Sequence, residues 1–106
     1  MTICLCKVIF LMHTTVTAYR VTDEGLACTG ENLIDLDHEQ ECKDAIPMIQ
    51  DAIPDSSFVM SGSKLYRPKG CYFSGGNVFW NSHRTGGDCL TCRSICKGKR
   101  NKSKLL

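Results

Sequence analysis

The sequence lacks several of the patterns that identify membrane proteins and common enzymes. Its apolar run Val8–Met12 is much shorter than the roughly 20 residues that a membrane-spanning helix needs. No serine, histidine and aspartate occur in an arrangement typical of hydrolases, and His38 and His83 lie far apart. Asp35 and Asp37 are an alternative calcium site, but the EF-hand pattern with its central glycine and terminal glutamate is missing. We therefore expect a non-catalytic protein without a cofactor or a bound metal.

Acidic side chains are nearly missing from the second half of the chain. Residues 58–106 contain ten lysines and arginines but a single acid, Asp88, whereas residues 1–57 contain ten acids and three bases. Net charges of +9 and −7 indicate either two halves that attract one another or a basic segment directed at an anionic partner. We expect a flexible basic tail at 97–106 that binds an anionic glycan or membrane surface, with a solubilising chain end as the alternative. Its cations are Lys97, Lys99, Arg100, Lys102 and Lys104.

The first residues have the pattern of a secretory signal peptide. Lys7 precedes the apolar run, no acid occurs before Asp23, and the small residues Val16 and Ala18 stand where a signal peptidase requires them. The alternative is a buried strand or helix in a cytosolic protein. We expect a leader at 1–18, cleavage after Ala18 and secretion of the remaining chain.

Cysteine parity supports export. The chain contains eight cysteines, and removal of the leader with Cys4 and Cys6 leaves an even number, the pattern of a disulfide framework in a short exported protein. We expect a single cysteine-rich domain at 19–96. At that size a hydrophobic core contributes only a few kcal/mol of net stability, so disulfides are physically needed.

One amphipathic helix is predicted after residue 36. Asp37 is the expected N-cap, with Gln40 three residues later and glutamates in the first turn, where the helix dipole favours anions. Pro47 should kink this helix or divide it into two short ones because it removes a backbone donor. The predicted apolar face consists of Cys42, Ala45, Ile46, Ile49 and Ile53.

A β-hairpin is predicted farther along the chain. Two aromatic-rich runs, 71–73 and 78–81, flank Gly75-Gly76. Residues 55–67 should form a mobile loop with a short strand at 58–60, and 26–28 should form an edge strand. The predicted fold class is α+β, with one helix on a two- to four-stranded antiparallel sheet.

The order of these motifs resembles a small cysteine-rich module of predicted exported proteins from aquatic invertebrates and protists. The resemblance depends on Cys28-Thr-Gly30, Glu41-Cys-Lys-Asp-Ala45, Pro68-Lys-Gly-Cys-Tyr72, Gly76-Asn-Val-Phe-Trp-Asn81 and the final Cys-x-x-Cys-x-x-x-Cys. It covers most of residues 28–96 and implies a scaffold only, since the module has no settled function. Pro47 departs from the pattern, because such helices tend to have a small residue there.

The segment Cys89-Leu-Thr-Cys-Arg-Ser-Ile-Cys96 fits three interpretations. Its cysteines with His83 could bind zinc, and Cys89 with Cys92 could form a redox pair. An oxidising compartment disfavours the first, and the missing βαβ context disfavours the second. We prefer structural disulfides, although six cysteines allow fifteen pairings. The preferred pairs are Cys42–Cys71, Cys28–Cys96 and Cys89–Cys92.

The following residues, Gly98-Lys99-Arg100, match a dibasic processing signal in which the glycine becomes a C-terminal amide. Cleavage there would release Tyr19–Lys97 as a peptide hormone or toxin-like ligand. A solvated basic chain end is the alternative interpretation.

We interpret the chain as a secreted, monomeric binding module, with a role in defence as one option. Tyr72 and Trp80 of the hairpin, together with the basic tail, are the predicted contacts to a receptor or an anionic surface. An exposed Trp80 would indicate recognition, and a buried one would indicate packing. Nucleic acid is not an expected partner because export removes it.

Overall fold

The computed structural model describes residues 18–99. The predicted leader before Ala18 and the predicted tail contacts Arg100, Lys102 and Lys104 lie outside the described residues.

A six-stranded sheet forms the centre of the fold. Along it the strands follow the order β1-β6-β4-β5-β3, and β2 also pairs with β6. All pairs are antiparallel except β3 with β5, which is parallel. The α+β class is confirmed, but the sheet has more strands than expected, and the expectation of purely antiparallel pairing was wrong at β3 and β5. The strands are β1 Tyr19–Val21, β2 Ile34–Asp35, β3 Ser57–Gly62, β4 Gly70–Ser74, β5 Asn77–Asn81 and β6 Arg93–Lys97.

The predicted helix is divided at its proline. Helix α1 spans Glu39–Ala45, and a 3₁₀ turn at Ile46–Ile49 continues it, because Pro47 has no N–H to donate to the preceding helical turn. The predicted N-cap was wrong by one residue. The side chain of His38 caps the helix, with its Nδ1 accepting from the Glu41 N–H at 3.2 Å.

The predicted hairpin is confirmed as β4 and β5. Gly75 and Gly76 both have positive φ, 58° and 87°, the backbone that a two-residue turn matched to the sheet twist requires. The strand predicted at 58–60 is also confirmed, and it extends over Ser57–Gly62. Much of the expected mobile loop is therefore part of the sheet.

The edge strand predicted at 26–28 was wrong, since Cys28–Glu31 is a 3₁₀ turn. Extended chain occurs instead on both sides of it, at β1 and β2. β6 was not predicted, because its short stretch is dominated by cysteine spacing rather than by β-branched residues.

The core lies between the sheet and the α1 segment. All five residues of the predicted apolar face are buried in it, which confirms that face. Leu36, Cys71, Val78 and Ile95 complete the cluster, with Phe73 and Trp80 among the residues packed at its margin. Three disulfides cross-link this fold, and they are the preferred pairs Cys28–Cys96, Cys42–Cys71 and Cys89–Cys92.

Candidate binding site

The hairpin aromatics are mainly packing residues. Tyr72 is only 2% exposed, and its ring stacks on Phe79 across the β4–β5 pair with centroids 5.2 Å apart. Trp80 is half-buried against the core. Burial raises the pKa of Tyr72, and the nearby Arg67 guanidinium opposes this shift. Tyr72 therefore cannot contact a partner in this conformation, and Trp80 corresponds to the packing alternative.

Lys97 belongs to the sheet and not to the tail predicted to begin there. It is the last residue of β6, and its Nζ lies 2.8 Å from Asp37 Oδ2 and 3.2 Å from Glu41 Oε2. Gly98 donates its N–H to the Ala18 carbonyl, and Lys99 Nζ bonds to Asn32 Oδ1 at 2.6 Å. The first cations of the predicted tail are thus engaged within the domain.

The Lys97 cluster has electrostatic consequences for its members. The hydrogen bond to Asp37 raises the pKa of Lys97, and the same contact lowers the pKa of Asp37. Burial and the Glu41 carboxylate raise the pKa of Tyr19, whose hydroxyl donates to Glu41 Oε2 at 3.2 Å. This cluster connects β1, α1 and β6, so its charges stabilise the domain and are poorly available to a partner.

A different surface presents accessible cations and apolar side chains together. We call it the basic loop surface, and it comprises Lys64, Leu65, Tyr66 and Arg67 of the loop before β4, with Arg84 of the loop after β5. All five residues are exposed, Tyr66 by 73%. Among residues 18–99, no acid lies within ion-pair distance of these three cations. Sequence reasoning missed this surface.

The buried side chain of Asn81 fixes the backbone of the loop before β4. This residue is 2% exposed, and its Nδ2 donates to the carbonyls of Lys64, Arg67 and Pro68 at 2.8, 3.0 and 2.9 Å. Its Oδ1 accepts from the N–H groups of Lys64 and His83. One buried amide thus fixes the backbone of both loops, because unpaired buried polar groups would be costly.

Gly86 and Gly87 allow the loop after β5 to pack closely against the loop before β4. Gly87 donates its N–H to the Arg67 carbonyl at 2.9 Å, and a Cβ at Gly87 would overlap the carbonyl oxygen of Leu65. Gly86 has φ +65°, and a Cβ there would lie 2.5 Å from the Lys69 nitrogen. Only glycine permits this approach. The exposed cations are therefore presented by backbone of defined conformation.

His83, a candidate zinc ligand from its sequence position, stabilises the loop after β5. Its Nδ1 accepts from the N–H groups of Gly86 and Thr85 at 2.9 and 3.3 Å. Among residues 18–99, no group of three or more His, Cys, Asp or Glu side chains is arranged to hold a metal ion. Cys89 and Cys92 are joined as a disulfide, so they do not offer thiolates to zinc.

A cleft of 510 Å³ adjoins the basic loop surface. Residues 25–27 and Thr29 border it together with Lys69, Arg84 and Asp88, and Cys89 and Cys92 also line it. Lys69 lies 3.9 Å from Asp35, another lining residue. The cleft therefore contains charges of both signs, and the exposed cations without acidic partners lie on the adjoining loops.

These features define a class, the small disulfide-rich α+β domain, and its abundant disulfides are consistent with an extracellular protein. No family model matches the chain, and no curated protein or solved structure shows significant similarity to it. Within residues 18–99, no helix has the length and apolar character needed to cross a bilayer.

A weak sequence signal for the basic loop surface did exist. The stretch Lys64-Leu-Tyr-Arg67 places two large apolar residues between cations just before the Pro68 turn, where a turn keeps side chains exposed. What sequence could not show was that Asn81 and the Gly86-Gly87 pair would bring Arg84 to the same region.

Proposed function

We propose that this chain is a secreted, non-catalytic recognition module that binds a sulfated glycan through its basic loop surface. The observation that supports the proposal is the exposure of Lys64, Arg67 and Arg84 beside Tyr66 on loops fixed by Asn81. A loop backbone that is already ordered suits binding of a polyanion, because the loops lose little backbone entropy when the ligand binds. Arginine also recognises planar or tetrahedral oxyanions through paired N–H groups.

A glycan is a better candidate than a membrane surface. Peripheral membrane binding commonly uses an amphipathic helix whose apolar face enters the interface. The apolar face of α1 is buried in the core of this domain, so it is occupied. The basic loop surface contains only two exposed apolar side chains, Leu65 and Tyr66, and cations flank them.

Secretion is supported by two independent features. The first is the leader-like pattern at 1–18. The second is the framework of three disulfides, which persists in oxidising compartments and is rare in the cytosol. Strand β1 begins at Tyr19, directly after the proposed cleavage position.

Heparin affinity tests the glycan proposal. The variant Lys64→Gln/Arg84→Gln should elute from a heparin column at lower salt than the parent protein and bind heparin about tenfold more weakly, because fewer counterions are released. The control is Arg20→Gln/Lys43→Gln, which removes the same charge from exposed positions elsewhere. Tyr66→Ala should also weaken binding.

Three results would contradict the glycan proposal. Equal losses in the two double variants would indicate a response to net charge alone. A loss confined to Lys102→Gln/Lys104→Gln would place binding in the tail. Binding to vesicles that contain phosphatidylserine, without binding to heparin, would identify a membrane surface instead.

A specific observation supports a second candidate, a processed peptide ligand. Tyr19 and Lys97, the two ends of the proposed product, are register partners in the β1–β6 pair. Cleavage after Ala18 and amidation at Gly98 would therefore leave the new N-terminus and the new C-terminus directly paired between β1 and β6. Intact mass of the natural product tests this candidate, and a product that retains Leu106 would exclude it.

A further inference from the structure

The three disulfides differ in their access to solvent. Cys28, Cys96, Cys42 and Cys71 are all buried, with exposures of 2% or less. In the third bridge Cys92 is 1% exposed, but Cys89 is only half-buried and lines the 510 Å³ cleft. An external thiolate can therefore approach one sulfur of this bridge and neither sulfur of the other two.

The chain around this bridge is exposed and locally held. Leu90 and Thr91 form the exposed turn between the two cysteines, Leu90 being 83% exposed. Cys92 donates its N–H to the Cys89 carbonyl at 3.2 Å and accepts from the Gly25 N–H at 2.9 Å. These backbone bonds do not depend on the sulfurs, so the turn keeps both cysteines close when the bridge is open.

We propose that Cys89–Cys92 is a thiol–disulfide exchange site for low-molecular-weight thiols such as glutathione. The thiolate of one glutathione attacks the Cys89 sulfur, the Cys89–Cys92 bond breaks, and Cys92 leaves as a thiolate. A second glutathione thiolate then attacks the glutathione sulfur of the mixed disulfide. This releases oxidised glutathione and a Cys89 thiolate, so two electrons pass from two glutathiones to the bridge.

The domain keeps its fold through this reaction. Cys28–Cys96 still anchors β6, and β6 still pairs with β1 and β4. Cys42–Cys71 still joins α1 to β4. The effect of opening is local to the wall of the cleft, where the Cys89 and Cys92 side chains gain freedom. The proposal goes beyond glycan recognition and does not depend on it.

Timed alkylation of the native oxidised protein tests the order of reduction. The protein is incubated with glutathione, quenched with acid, alkylated and mapped by mass spectrometry. Cys89 and Cys92 should acquire label at least about tenfold faster than the four buried cysteines, since access controls exchange. Simultaneous labelling of all six cysteines, or labelling of this pair last, would overturn the proposal.

Two single variants test the direction of attack. Cys92→Ser leaves Cys89 as a free thiol, and Cys89→Ser leaves Cys92; each is treated with oxidised glutathione while near-UV circular dichroism monitors the fold. A glutathione adduct should form rapidly on Cys89 and slowly on Cys92. Equal rates in the two folded variants would contradict attack at Cys89. If a variant does not fold, the mixed disulfide mapped from the quenched parent protein decides the direction, since glutathione on Cys92 and not on Cys89 would contradict attack at Cys89.

Discussion

The Lys97 cluster and the basic loop surface use positive charge in opposite ways. At the end of β6, Lys97 lies between Asp37 and Glu41, and its charge joins three elements of the fold. On the loops, Lys64, Arg67 and Arg84 are exposed, and the described residues place no acid within ion-pair distance of them. Sequence composition does not distinguish these two sets of cations. Of the two sets, only Lys97 contributes to the stability of the fold, and only the loop cations are available to a partner.

The two regions are also stabilised by different means. The helix side of the sheet is closed by a hydrophobic core and the buried Cys42–Cys71 disulfide, whereas the buried Cys28–Cys96 disulfide lies in a second, smaller cluster with Leu33. The loop side depends on the hydrogen bonds of one buried amide and on close backbone contact at Gly86 and Gly87. A substitution on the helix side should therefore affect the whole fold, and one on the loop side should first affect local order.

The largest effect is expected from removal of the Cys28–Cys96 bridge. This bridge spans a sequence separation of 68 residues, and in the chain-entropy model its loss costs about 4 kcal/mol. Cys89–Cys92 spans only 3, so its loss should cost about 2 kcal/mol. Urea unfolding of the double alanine variants measures the difference. Equal losses would contradict the expected contrast between the long-range bridge and the short-range one.

Asn81→Ala should have the next largest effect. The change removes a buried side chain that three carbonyls and two N–H groups of the loops use as their hydrogen-bond partner, which should cost about 3 kcal/mol. Hydrogen exchange should increase at 64–69 before it increases in α1. The control is Asn77→Ala, at the other end of β5 and half-buried. A uniform increase across both regions would show that the two sides of the sheet are not separable.

Lys97→Met should have a smaller and pH-dependent effect. It removes charge-assisted hydrogen bonds to partly exposed carboxylates, so we expect a loss of about 1 kcal/mol at neutral pH. Because the folded pKa of Lys97 is raised above 10.5, its contribution is complete below that pH and is lost as the pH rises through the folded value. Because the folded pKa of Asp37 is lowered below 3.8, its contribution is present above 3.8 and is lost as the pH falls through the folded value.

Urea unfolding at acidic, neutral and alkaline pH tests this prediction. The difference in unfolding free energy between parent and Lys97→Met should be largest at neutral pH and should decrease toward both extremes. Lys43→Met is the control, since Lys43 pairs with Glu39 at an exposed i,i+4 position. A constant difference between parent and Lys97→Met at all pH values would mean that packing of the aliphatic chain, and not charge, is what Lys97 contributes.

The smallest effect on stability is expected from Lys64→Gln/Arg84→Gln. Exposed cations without ion-pair partners contribute little to folding, so the unfolding free energy should change by less than about 0.5 kcal/mol. The same variant should show a clear loss of heparin binding. A large loss of stability would mean that these side chains support the loops and would remove the contrast on which the proposed function depends.

The elements that sequence predicted best are those with a local physical cause. The spacing of Cys42, Ala45 and Ile49 defines an apolar helical face whatever the helix packs against. Pro47 divides the helix because it lacks an N–H, and Gly75-Gly76 supplies the positive φ of a tight turn. Each of these effects acts within a few residues, so a linear pattern is enough to identify it.

The elements that sequence missed depend on distant partners. β6 is a strand because β1, β2 and β4 all pair with it, not because its residues have high β-propensity. Tyr72 is an aromatic residue of the type that often binds a partner, but it is buried in the folded domain. Neither fact follows from neighbours in the chain, because both depend on which surfaces meet after folding.

By itself, the sequence determined the fold class, the divided helix, the hairpin and an even set of cysteines in one domain. Tertiary structure alone decided which cations are engaged and which are exposed, since Lys97 meets its acids across a sequence distance of more than fifty residues. It also decided that the buried Asn81 side chain fixes the loops of the basic loop surface. The physical reason is that local propensity acts along the chain, whereas burial and charge pairing act through space.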